Sequence, residues 1–184
     1  MKSYLTTLCI CFITFVSLAQ NTIESPRGYS NDIGNMVAML DDLKARVTRN
    51  VKDLTQEQTD FLLDEEANRI GAMIMHLAAT EVYYQKYTFE GRQMNAAENA
   101  KWNAAMRLGD IGRKELKDKP ISYYLDIWTE VRTETKRLLK EKDDTWFKQK
   151  NGRMDHHWAW FHVMEHQANH MGQIVMISKR ARKA

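Results

Sequence analysis

Apolar residues recur along most of this chain at spacings of three and four positions, the pattern of helices that bury one face. A first helix is predicted over residues 33–47, and a second over residues 68–88. A third follows Pro120, which suits a first helical turn because its missing N–H needs no partner there. A fourth begins after Asp155, a side chain that can cap a helix, and extends to about Lys179.

The connections between these helices are of modest length, and one of them is a polar insert. Thr55 can cap a short turn after the first helix, and residues 150–152 mark a turn before the last. The insert covers residues 90–113 and is predicted to contain a short helix at 96–108. Because no segment of useful length alternates polar and apolar residues, the pattern predicts an all-α four-helix bundle with a short helical insert between its second and third helices.

Composition agrees with a soluble helical protein. Hydrophobic residues make up 43% of the chain and charged residues 28%, and only two prolines and eight glycines are present to interrupt helices. The formal net charge of +3 is too small to indicate a nucleic-acid surface, so no nucleic-acid partner is expected. The basic residues at 179–183 are instead expected to complement the C-terminus of the last helix.

Residues 1–19 have the features of a secretory signal peptide. A lysine precedes an apolar run at 4–16, and small residues provide a cleavage site after Ala19. The run is shorter than the roughly 20 residues that span a bilayer. We therefore expect an exported protein, periplasmic or secreted, without a membrane segment after cleavage. The mature chain would have a polar lead at 20–30 and one bundle domain at 31–181.

The last predicted helix carries the clearest candidate chemistry. His162, His166 and His170 follow one another at intervals of four residues, which leaves their side chains only about 40° apart on a helix. Three imidazoles could not all become charged in an apolar interior, whereas a divalent cation would take their lone pairs directly. Both cysteines, Cys9 and Cys11, lie in the leader, so the mature protein offers only imidazole and oxygen ligands.

A complete metal site needs a ligand from a second helix. His76 is the only other histidine inside a predicted helix core, with Tyr83 on its own face, while Gln173 shares the face of the last-helix histidines. A lone buried histidine is more often a packed core residue, but the pair His166 and His170 on the last helix favours a ligand role for His76. His156 and His157 fall at a helix start and are expected to be exposed.

Two of these segments resemble the signatures of the DinB-like superfamily. Residues 68–81 are similar to its second-helix signature, an Ile-Gly, then a His-Leu, then a Glu. Residues 162–174 resemble its fourth-helix signature, although Met171 replaces the usual basic residue. The resemblance covers about residues 31–180, and the insert matches least well.

The resemblance implies a four-helix bundle and carries the metal ligands over to His76, His166 and His170. Three protein nitrogens leave at least one position open on the metal, the arrangement of a catalytic site. Imidazole ligands suit Zn, Ni, Cu or Fe, and of these we expect Zn or Ni. The residues expected to support the site without ligating the metal are His162, Gln173 and Tyr83.

Members of this superfamily include thiol-dependent S-transferases, an isomerase that uses a thiol cofactor, and many proteins without known activity. We expect an exported metal-dependent hydrolase of a small substrate. The alternatives are a metal-dependent thiol S-transferase and a metal-binding protein without turnover. Export disfavours the transferase, because small thiols are kept reduced in the cytosol. The pattern assigns no catalytic residue, and the candidates for a base are Glu130 and Glu134 on the third helix.

The segment from His162 to His166 also matches the H-x-x-E-H motif of a class of metallopeptidases. Those enzymes need a further acidic ligand far downstream on a larger scaffold. Only 18 residues follow His166, so we do not favour a peptidase.

The last helix has a second apolar stripe on the side opposite its histidines. A bundle helix is normally polar on its outer side. We therefore expect the stripe to be buried against a second subunit, as in a homodimer, or under the insert. Its members are Phe161, Met164, Ala168, Met171 and Val175.

Overall fold

The structure is a computed structural model that describes residues 22–184. The leader at residues 1–19 lies outside this range, so the signal peptide, and with it export, stays a prediction. The helices are α1 (Asn31–Val51), α2 (Gln56–Thr59), α3 (Ile70–Phe89), α4 (Ala96–Arg107), α5 (Gly109–Glu115), α6 (Ile121–Lys140), α7 (Asp144–Phe147) and α8 (His156–Ala181), and the strands are β1 (Lys150–Asn151) and β2 (Met154–Asp155).

The four long helices enclose two apolar clusters, the larger of which is the main core. Each of α1, α6, α3 and α8 contacts the next in that order, and α8 closes the ring against α1. Trp128 and Trp160 are completely buried between them. The predicted all-α bundle is confirmed. It forms because helices with apolar faces of this length shield those faces from water by packing against one another.

Local sequence sets several of the helix ends. The hydroxyl of Thr55 accepts a hydrogen bond from the backbone N–H of Gln58 at 3.2 Å, and the Gln58 side chain accepts one from the N–H of Thr55 at 3.1 Å. This reciprocal capping box begins α2. Asp155 Oδ1 accepts a hydrogen bond from the N–H of Trp158 at 2.7 Å, so α8 begins where the sequence predicts.

The insert forms α4 and α5 and packs against α3. Trp102 of α4 is buried within the main core, so the insert is part of the domain's interior packing. It leaves the outer stripe of α8 partly open: Phe161 is 41% exposed, while Met164 and Met171 are partly buried. The homodimer stays a prediction.

Within residues 22–184 no helix is both long and apolar enough to cross a membrane. The long helices instead carry charged groups among their buried residues. Glu81 of α3 and Arg132 of α6 are only 1% and 4% exposed. Such groups fit the interior of a domain when they are paired.

Glu81 and Arg132 form the centre of a buried polar network that joins all four long helices. The Arg132 guanidinium donates to Glu81 Oε1 at 2.7 Å and to Oε2 at 3.0 Å. It also donates to Asp41 of α1 at 3.3 Å and to Gln167 of α8 at 3.0 Å. The Trp128 indole N–H also donates a hydrogen bond to Glu81 Oε2 at 3.3 Å. Because these partners are directional, the network fixes how the helices are placed relative to one another.

Gly71 allows α3 and α6 to approach closely, since a Cβ there would lie within 2.8 Å of three ring atoms of the fully buried Tyr124. We expect Gly71→Ala to lower the free energy of unfolding by about 1–3 kcal/mol, because the buried ring or the helix backbone must shift to make room for the added Cβ. Urea unfolding followed by circular dichroism measures this loss.

Gly172→Ala is the matched control, since a Cβ at this α8 position meets no described atom within 4 Å apart from its chain neighbours and the backbone of its own helix. That variant should be neutral or up to about 1 kcal/mol more stable, because alanine is the better helix former. Equal effects of the two substitutions would contradict the steric explanation.

Candidate metal centre

Three histidines from two helices meet at one point. His166 Nε2 lies 3.1 Å from His76 Nε2 of α3 and 3.1 Å from His170 Nε2, one turn along α8. One ring nitrogen from each residue can be chosen so that all three lie within 4.8 Å of one another. The structure thus brings together the three histidines that the resemblance selected as metal ligands.

Two of the rings are held in a defined orientation by their other nitrogen. His76 Nδ1 lies 2.8 Å from the backbone carbonyl oxygen of Ala105, and His170 Nδ1 lies 2.8 Å from Gln173 Oε1. Both partners are acceptors, so each Nδ1 carries the proton and donates it. The Nε2 atoms of His76 and His170 therefore present bare lone pairs to His166.

The Ala105 carbonyl is available because α4 ends there. In a continuing helix it would accept the N–H of Gly109, but that N–H donates to Asn68 Oδ1 at 3.0 Å. Asn68, just before α3, thus frees a carbonyl at the C-terminus of α4 for His76. The negative end of the α4 dipole also lies at this terminus and favours a nearby cation.

The donor set fits a divalent cation. If His166 carries its proton on Nδ1, the lone pairs of three Nε2 atoms face one another and repel. If His166 carries it on Nε2, one proton must serve the lone pairs of both His76 and His170. Either tautomer leaves a conflict among the lone pairs. A cation held by all three nitrogens removes this conflict. Two nitrogens bound to zinc at about 2.0–2.1 Å in tetrahedral geometry are about 3.3–3.4 Å apart. Two of the three pairs here are 3.1 Å apart, and all three nitrogens lie within 4.8 Å of one another.

The three imidazoles are held in the neutral form that binds metal. Burial, reinforced by the neighbouring His170 and His76, lowers the pKa of His166 to about 4. Burial also lowers the pKa of His76, against the opposing effect of its hydrogen bond to Ala105. The pKa of His170 is lowered by burial as well. At neutral pH the lone pairs are therefore available without loss of a proton.

His162 stands beside the cluster and outside it. Its ring is stacked 6.0 Å from that of His166 between centroids, and its Nδ1 lies 3.3 Å from Glu165 Oε2. His162 is absent from the three-histidine group, so the ligand pair of the H-x-x-E-H motif does not form among the described residues. The ring also stacks on Trp158 at 5.2 Å and meets the edge of Tyr84 at 5.9 Å.

Among the supporting residues predicted from sequence, Gln173 contacts a cluster histidine directly. Tyr83 packs on Tyr84 and Tyr87, with centroid distances of 5.2 and 6.4 Å. Its role in support of the metal stays a prediction.

The expectation that His156 is exposed is wrong. It is only 6% exposed, and its Nδ1 donates to the carbonyl of Trp146 at 2.8 Å while its ring lies on that indole. The sequence of a helix start does not show that α7 packs beside it. His157 is exposed as expected.

Neither carboxylate named as a base contacts the cluster within the described chain. Glu134 pairs with Arg137 at 2.8 Å, and Glu130 lies in an open groove beside Lys101 and Trp102. The important contact that the sequence missed is the carbonyl of Ala105. A backbone carbonyl has no residue-type signal, so only the fold reveals it.

A scan against models of protein families matches residues 35–181 to the model described as Mycothiol-S-transferase. The match covers most of the chain, including the insert and all three histidines of the cluster. A search of curated proteins finds no match.

Proposed function

The chain belongs to the mycothiol S-transferase family, and we propose that it is a metal-dependent enzyme that joins a small thiol to an electrophilic co-substrate. The family match is the observation that favours this activity over the hydrolase expected from sequence. The convergence of three neutral histidines supports the dependence on a metal. Both substrates would be small molecules.

His76, His166 and His170 would hold the cation. Imidazole ligands suit Zn, Ni, Cu and Fe, and of these we propose Zn or Ni. When bound, the cation would act as a Lewis acid that lowers the pKa of a thiol and so favours its thiolate. Ala105 and Gln173 would keep the His76 and His170 rings turned so that Nε2 faces the cation.

The reacting thiol must come from a separate molecule, since residues 22–184 contain no cysteine. In the transfer, sulfur forms a bond to an electrophilic carbon and the bond from that carbon to its leaving group breaks. The leaving group takes the electron pair, and the thiol proton passes to solvent. The chain needs no nucleophile of its own for this reaction.

We expect the purified protein, reconstituted with zinc or nickel, to consume mycothiol in the presence of monochlorobimane and to form the fluorescent thioether. Chelation should abolish the catalysed rate, and adding the metal back should restore it, because free thiol at neutral pH is mostly protonated. Fluorescence measures product, and glutathione and cysteine serve as comparison thiols.

The transferase proposal would be overturned if metal-loaded protein did not raise the rate of thioether formation above the uncatalysed rate with any of the thiols. Metal-dependent cleavage of a small ester in the absence of thiol would instead support the hydrolase. Bound metal without either activity would support a non-catalytic metal-binding protein.

A further inference from the structure

A groove of about 330 Å³ lies at the start of α8, outside the histidine cluster. It is formed by the β1–β2 hairpin and the first turn of α8. The side chains that line it are Lys150, Arg153, Met154, Asp155 and Trp158.

The charge of the groove favours a singly charged anion. Lys150 and Arg153 are exposed, and neither has a carboxylate within ion-pair distance in residues 22–184, whereas nearby Lys148 is paired with Asp32 at 3.1 Å. Asp155 already uses Oδ1 as the helix cap of α8. Two cations and one carboxylate leave a net charge of +1, which suits one carboxylate better than a doubly charged phosphate.

The groove is connected to the histidine cluster by a row of rings along α8. Trp158 is 47% exposed and lies parallel to His162, with 5.2 Å between centroids. His162 in turn stacks on His166 at 6.0 Å. Trp158 and His166 are eight positions apart, about 12 Å along a helix, a distance that an extended small molecule can span.

The hairpin is held in position from the α3 side, so the groove is preformed. The Tyr87 hydroxyl donates to the carbonyl of Asn151, and the Asn151 side-chain amide donates to the Tyr87 carbonyl at 2.7 Å. Gly152 takes a positive φ of 63° at the turn between the strands. A preformed site loses less entropy when it binds a ligand.

We infer that this groove binds a carboxylate on the electrophilic co-substrate that reacts at the histidine cluster, with Lys150 and Arg153 as its charge partners and Trp158 as its aromatic wall. The link to the reaction rests on the proposed transferase function. Binding of the anion itself depends on neither metal nor turnover.

The test uses benzoate as the anionic probe and benzamide as its neutral counterpart. Binding is followed by the indole N–H signals of the five tryptophans in a ¹H–¹⁵N spectrum, with Trp158→Phe to assign the groove signal. We expect benzoate to shift the Trp158 signal saturably and at least tenfold more tightly than benzamide. The double variant Lys150→Gln/Arg153→Gln should weaken benzoate at least tenfold and leave benzamide unchanged.

The matched control is Lys179→Gln/Arg180→Gln, which removes two exposed charges from the far end of α8 and should change neither affinity more than twofold. Added salt should weaken benzoate alone, a second measurement that needs no variant. Equal binding of the two probes, or benzoate binding unchanged in the groove variant, would overturn the inference. Because the assay needs no turnover, failure of the transferase assay does not affect it, and loss of benzoate binding leaves the transferase proposal standing.

Discussion

His166→Ala should lose bound metal almost completely. The wild-type protein is expected to hold about one equivalent of zinc or nickel. His166 is the central ligand because its Nε2 lies 3.1 Å from the Nε2 atoms of both His76 and His170. Without it, two imidazoles from different helices remain. The affinity should fall by more than the roughly 10- to 100-fold that loss of a supporting residue costs. Elemental analysis measures the metal content, and competition with a chromogenic chelator measures the affinity for the metal.

His162→Ala is the matched control, a histidine on the same helix face that lies outside the group. It should retain the metal with at most a modest loss of affinity. Zinc at about 100 times its dissociation constant should raise the melting temperature of wild type and His162→Ala by about 5–10 °C and leave His166→Ala unchanged. Full metal content in His166→Ala, or none in the wild type after incubation with zinc and nickel, would show that the histidines are core residues.

Glu81→Leu should cost the largest amount of stability, about 3–5 kcal/mol. The substitution leaves the Arg132 guanidinium, 4% exposed, without its closest counter-ion. Asp41 at 3.3 Å compensates only in part because it is 35% exposed and shared with Lys136. Urea unfolding should show a lower midpoint with an unchanged slope, and the melting temperature should fall by roughly 6–20 °C.

The double variant Glu81→Leu/Arg132→Met should recover most of the loss, because two well-packed apolar side chains can replace a buried ion pair at little cost. Glu134→Leu is the surface control: its pair with Arg137 is about half exposed, and its loss should cost less than about 1 kcal/mol. A double variant as unstable as the single one would mean that packing at position 81, and not the unpaired charge, dominates.

The sequence by itself determined the class of fold and most of its boundaries. Helical periodicity needs only the residues of one segment, and caps such as Thr55 and Asp155 act within three residues of themselves. The i,i+4 spacing of His166 and His170 likewise placed two rings side by side, since a helix fixes that geometry wherever it packs. For His76, spacing alone favoured a core residue. The histidine pair on the last helix turned the prediction toward a ligand, and the resemblance agreed with it.

Tertiary structure alone decided which groups meet across the bundle. It placed His76 opposite His166, brought the Ala105 carbonyl to His76 Nδ1, and paired Glu81 with Arg132. It also buried His156 under α7, against expectation. These contacts join residues 10 to 90 positions apart. Local patterns determine which face of a helix is apolar, but not the register or rotation with which two such faces pack, and that packing builds the site.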